Sequence, residues 1–136
     1  MYIPKNFSLK EFLPKDFYEE MFPKYGNRLW LIFDRTGLQT VQQLRNTYGK
    51  MLCNDWPYGG KNQYRGYRPP SCKIGAPLSQ HRFGRAWDLI PLETPLETIR
   101  QHIIEGRWPT IKGLELNVSW LHIDFRNSDK LVTFTP

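Results

Sequence analysis

His81, Asp88 and His122 are the residues of this sequence best suited to chemistry. Zinc takes nitrogen, sulfur or carboxylate ligands, and a catalytic zinc site usually holds three of them and leaves a fourth position for water. Two histidines and one carboxylate meet that requirement. A lone histidine on a half-buried strand is more often a hydrogen-bonded structural residue than a ligand. The three therefore carry weight only together, and only if the chain between them can bring them to one point.

Local patterning allows this. Residues 82–87 separate His81 from Asp88, and Gly84 among them permits a sharp change of direction before a short strand carrying Asp88. From Trp120 to Phe125 the residues alternate: Leu121, Ile123 and Phe125 share one face, while Trp120, His122 and Asp124 share the other. Burial of the apolar set would fix the direction in which His122 points.

The elements around these segments read mainly as short helices. Ser8 and Glu11 have capping-box spacing, Phe12 supplies an apolar contact, and Pro14 ends the turn. Asp16 to Met21 suits a second helix stopped by Pro23, and Leu38, Val41, Leu44 and Tyr48 recur at helical spacing up to Gly49. Met51 to Asn54 reads as a brief strand. Trp56 to Pro77, rich in Gly, Pro, Tyr and Arg, reads as a long ordered loop. Thr94 as N-cap, Pro95 at the first helical position and Glu97 three residues after the cap start a helix that runs to about Glu105 and closes at Gly106. Its Leu96, Ile99 and Ile103 are spaced to pack on a sheet, leaving Glu97, Arg100 and His102 toward water. Few strands, several short helices and no internal repeat indicate an α+β domain.

Composition sets the outer bounds. With 136 residues the chain suits one compact domain, 1–136, and its 40% hydrophobic and 24% charged content excludes a largely disordered protein. The net charge of +6 favours anionic partners without choosing among nucleic acid, an acidic membrane surface and wall polymers. Cys53 and Cys72 lack the close pairing of a zinc knuckle or redox motif and read as free thiols. Met1 to Phe12 holds no apolar run of signal-peptide length, and no stretch is long enough to span a bilayer. The product is accordingly expected to start life in the cytoplasm, with no membrane insertion.

Ser79-Gln80-His81, then Gly84, Ala86 and Asp88, followed by Trp120-Leu121-His122-Ile123-Asp124, resemble the paired motifs of the zinc D-alanyl-D-alanine carboxypeptidase and L-alanyl-D-glutamate endopeptidase family, which has Hedgehog signalling domains as relatives. The likeness extends upstream to Arg65-Gly66-Tyr67-Arg68 and Gly75-Ala76, and Asn6-Phe7, Glu11-Phe12 and Asn54-Asp55-Trp56 are similar to small phage-encoded members. The resemblance implies a Hedgehog/DD-peptidase-like α+β fold with a small antiparallel sheet, and Zn2+ held by His81, Asp88 and His122. It also implies cleavage of peptidoglycan stem peptides, an endolysin-like activity in a phage-infected or prophage-bearing bacterium. By the same resemblance Arg68 holds a substrate carboxylate, a task suited to a planar guanidinium; the alternative is a surface arginine stacked on Tyr67. Asp124 falls to support of the metal shell through hydrogen bonding.

One position departs from the family. A catalytic carboxylate generally stands three residues before the second zinc-binding histidine, where this chain has Ser119, whose hydroxyl is no base near neutral pH. Glu115 is the nearest upstream acid. If Leu114 to Val118 paired with Trp120 to Asp124 in a tight hairpin, it would lie across from His122 on the same face; otherwise it is a solvated strand residue. Two further readings follow. Ser119 suits a zinc-containing module that binds wall or virion components without cutting them. A nucleic-acid binder is suggested by Lys61, Arg65, Arg68, Lys73, Arg82 and Arg85, which lie among aromatics between Trp56 and Trp87 with no acid between them.

Overall fold

The computed structural model describes residues 1–136 as an α+β arrangement of four α-helices and a five-stranded mixed sheet. The helices are α1 (Leu9–Phe12), α2 (Lys15–Tyr25), α3 (Arg35–Tyr48) and α4 (Leu96–Ile104). The strands are β1 (Met51–Leu52), β2 (Ala86–Pro91), β3 (Gly113–Glu115), β4 (Leu121–Asp124) and β5 (Val132–Phe134), in the sheet order β1-β2-β4-β3-β5. No helix is long and apolar enough to cross a membrane.

Alternation along the central strands divides the sheet into a core face and a polar face. In the antiparallel β2–β4 pair Trp87 lies opposite Ile123 and Leu89 opposite Leu121, and all four side chains are fully buried. Ile99 and Ile103 of α4 and Leu38, Val41 and Leu44 of α3 join them in one apolar cluster. Burying a side chain of this size stabilises the fold by about 1.5–3 kcal/mol. That burial holds Asp88, His122 and Asp124 on the opposite face, because neighbouring strand residues must point to opposite sides.

Several elements begin and end for the reasons the sequence supplies. The Ser8 N–H donates to Glu11 Oε2 at 2.7 Å, closing one arm of the capping box that starts α1. Asp34 caps α3 by accepting from the Gly37 N–H at 2.7 Å, and Gly49, at φ 89°, closes it in a conformation that favours glycine.

Other elements differ from expectation. Helix α2 does not stop at Pro23 but runs through it to Tyr25. In the last turn the proline forfeits a single amide donor, and the Gly26 N–H still bonds to the Phe22 carbonyl. Thr94 is not the cap of α4. Its hydroxyl donates to the Tyr48 carbonyl at 2.7 Å, and Pro95 precedes the first helical residue. Arg100 does not face water: it is 4% exposed, and its Nη2 donates to the carbonyls of Val118 at 2.5 Å and Trp120 at 2.8 Å. A buried guanidinium is tolerable there because it satisfies carbonyls of an irregular link that no strand pairs.

The sheet is not wholly antiparallel. β5, which has no clear signal in the sequence, runs parallel to β3, with Gly113 opposite Val132 and Glu115 opposite Phe134. The cause is the short return from β4. Residues 125–131 stay at the end of the sheet where β3 begins, and the Val132 N–H bonds to the Lys112 carbonyl at 2.9 Å, so the last strand leaves in the direction of β3.

Candidate metal centre

His81 reaches the polar face from a one-turn 3₁₀ helix, Gln80–Phe83, which Gly84 ends at φ 69°. A Cβ on Gly84 would collide with the Ile32 carbonyl, so the turn into β2 requires glycine twice over, for its backbone and for its missing side chain. The imidazole is 2% exposed, and its Nδ1 lies 2.7 Å from the Gly66 carbonyl. A carbonyl only accepts, so Nδ1 donates to it and Nε2 is the nitrogen left to meet a ligand. That Nε2 is buried, has no hydrogen-bond partner, and lies 3.3 Å from Asp88 Oδ2. A buried polar atom without a partner is costly in a native fold unless something else occupies it.

β2 and β4 supply the other two groups. Their register sets Asp88 directly opposite His122, and His122 Nδ1 lies 2.7 Å from Asp88 Oδ1. Ligand atoms of His81, Asp88 and His122 all fall within 4.8 Å of one another, and all three residues are buried. The donor set and its convergence fit a metal ion, with the unpartnered Nε2 of His81 aimed into the gap.

Around this group the charges are ordered. His122 Nε2 lies 3.1 Å from Asp124 Oδ2, and Arg126 grips the same carboxylate through Nε at 2.8 Å and Nη2 at 2.7 Å. Asp124 is fully buried, and a Cβ on Gly113 across the strand pair would collide with its carboxylate; only glycine leaves that space. Burial alone would lower the pKa of His122, but its hydrogen bonds to Asp124 and Asp88 and their negative charge lift it from 6.5 to about 9. Burial would raise the pKa of both carboxylates. Instead the adjacent His81 and His122 imidazoles hold Asp88 well below the usual range, and Arg126 with His122 holds Asp124 down at about 2.

The triad opens into a cavity of about 490 Å³ that Arg68, Glu115, Asp124 and Arg126 also line. Arg68 is not stacked on Tyr67. Its Nε donates to the Tyr64 carbonyl at 2.8 Å and its Nη2 lies 3.4 Å from Asp88 Oδ2. Glu115 reaches the cavity, but not through the expected hairpin. β3 ends at Glu115, the Leu116 N–H turns away to the Phe134 carbonyl, and the link to β4 bends at Asn117, at φ 60°, rather than at Val118 and Ser119. The β3–β4 register pairs Gly113 with Asp124 and Leu114 with Ile123 and stops there; Glu115 pairs with Phe134 of β5 on its other side. Ser119 is exposed on the link, outside the cavity lining.

The structure thus brings Arg68, His81, Asp88, Glu115, His122 and Asp124 to one cavity. Sequence reading missed Arg126 and Phe134. Alternation could have found Arg126, two residues beyond Asp124 as Asp124 is two beyond His122; Phe134, on a three-residue strand, has no comparable signal. Most of the arginines that suggested nucleic acid brace loops. Arg65 Nη1 donates to the Cys53 carbonyl, Arg82 to the carbonyls of Cys72 and Ala76, and Arg85 Nε to Gln80 Oε1. Cys53 and Cys72 are buried free thiols. No family model, curated protein or solved structure matches the chain.

Proposed function

We propose that this chain is a zinc peptidase that hydrolyses a peptide bond in peptidoglycan stem peptides, of the D-Ala-D-Ala carboxypeptidase or L-Ala-D-Glu endopeptidase type that its motifs resemble. The observation that carries the reading is the buried His81, Asp88 and His122 group beside a cavity that holds a further carboxylate, Glu115, and two arginines. Two neutral imidazoles and one carboxylate are a donor set that zinc favours, and with three protein ligands a position stays open. When bound, zinc would supply Lewis acidity to a substrate carbonyl and to water.

The chain's own residues divide the remaining work. His81 presents Nε2 because the Gly66 carbonyl accepts a hydrogen bond from its Nδ1–H, and His122 presents Nδ1 while Asp124, held by Arg126, accepts from Nε2. Arg68 offers the donors not spent on Tyr64 and Asp88 to a substrate carboxylate. Glu115 takes a proton from attacking water and returns it to the leaving amine, the role that Ser119 cannot fill.

Purified peptidoglycan incubated with the protein, with and without a chelator, tests this directly. The expected result is release of new amines that the chelator abolishes; intact wall in both arms rejects the hydrolase reading. Ser119 favours one second reading, a metal-holding module that binds wall peptides without cutting them, and retention of zinc beside uncut wall would select it.

A further inference from the structure

We propose that Arg126 is a second substrate-anion contact, so that the site selects ligands carrying two carboxylates, one for Arg68 and one for Arg126. This deepens the peptidase reading and rests on it. Arg68, Asp88, His122, Asp124 and Arg126 form one continuous chain of polar contacts, at 3.4, 2.7, 3.1 and 2.7 Å in turn. His122 stands at its middle and an arginine at each end, and both guanidinium groups line the same cavity as the candidate metal ligands.

Each arginine keeps donors in reserve. Arg126 spends Nε and one Nη2 hydrogen on Asp124, and one face of its guanidinium lies 4.8 Å from the centre of the Phe134 ring. A guanidinium carries five N–H donors, and those of Nη1 are unspent, on a side chain 27% exposed at the cavity wall. Phe134 and Asp124 hold the plane of the group in advance of binding, which reduces the ordering cost of a contact there. The charge balance agrees. Two guanidinium groups and a divalent ion against Asp88, Glu115 and Asp124 leave the loaded cavity positive, which favours an anionic ligand over a neutral one.

The test is titration calorimetry of zinc-loaded protein with N-acetylglutamate and N-acetylglutamine, each as D and L isomers, which differ by one carboxylate. Zinc content is measured on the same samples and each variant is brought to full zinc occupancy before titration, so a weaker metal, expected where Asp124 loses Arg126, is read separately from loss of selectivity, while wild-type protein that takes up no zinc counts against the peptidase reading itself. Wild type should bind at least one isomer of the dicarboxylate about tenfold more tightly than its amide, and Arg126→Gln should erase that preference with zinc still bound. Arg126→Lys, which keeps the charge but not the paired donors, should keep zinc and retain a reduced preference. Equal affinity of wild type for acid and amide, or an undiminished preference in zinc-loaded Arg126→Gln or Arg126→Lys, overturns the proposal.

Discussion

At the scale of single residues, the site depends on which atom each side chain presents. Glu115→Gln should retain the fold and the metal and lose hydrolysis by about 10²-fold or more, the scale of a lost general base. Ser119→Ala, on the exposed link, should leave hydrolysis unchanged; steady-state assays of the two variants separate these outcomes. Arg68→Ala should raise KM with zinc still bound, and Arg68→Lys should rescue only in part. The pH dependence follows from His122. In the metal-free site it stays protonated up to about pH 9, and a metal must displace that proton, so affinity should fall about tenfold for each pH unit below that value. The same shift, raised above 6.5, stabilises the metal-free fold fully below pH 6.5 and is lost as pH climbs through about 9. Asp88 and Asp124 lie below 3.8, so their contribution is present above pH 3.8 and lost as pH falls through their lowered values. Thermal melts of chelated protein should therefore peak between about pH 3.8 and 6.5. Alternation in β4 and the glycine turn before β2 made the convergence of His81, Asp88, His122 and Asp124 legible, whereas Arg68, on an irregular loop, was reached through the resemblance of its motif and Glu115 as the nearest upstream acid. Arg126 was legible in principle by the same period.

At the scale of elements, legibility depended on whether local pattern or tertiary contact decided the outcome. α3 followed its apolar spacing and β4 its alternation, since each buries a face large enough to fix its register. Where partners far along the chain decide, the pattern misled. Arg100 lies on what reads as a polar face of α4, yet the carbonyls of Val118 and Trp120 draw it inward. β5 owes its existence to pairing with β3 and its parallel direction to the return at Lys112. Gly113 is the sharpest test at this scale, because a Cβ there meets the Asp124 carboxylate that orients His122. Gly113→Ala should destabilise the fold by about 1–3 kcal/mol as the strand pair shifts, and should weaken metal binding as well. Denaturant unfolding and metal titration of that variant read the two effects; wild-type values for both would show that Asp124 does not depend on the space Gly113 leaves.

For the whole molecule, the sheet separates two tasks, with its apolar face closing the core and its polar face gathering ionisable groups that would be costly to bury unpaired. The +6 net charge, which first pointed to several anionic partners, is partly spent on internal bracing by Arg65, Arg82 and Arg85 and partly turned toward the cavity by Arg68 and Arg126. A metal bound only by the folded chain should stabilise it by mass action, about 2.7 kcal/mol at a free concentration 100 times Kd. For a domain of this size that is a rise in Tm of roughly 10 °C, reversed by a chelator. Whether a metal occupies the site is read by elemental analysis of protein purified without added metal, beside His81→Ala and His122→Ala prepared identically. About one zinc per wild-type chain, lost from both variants, is the expected result. Wild-type protein free of zinc, or full occupancy in both variants, would contradict it.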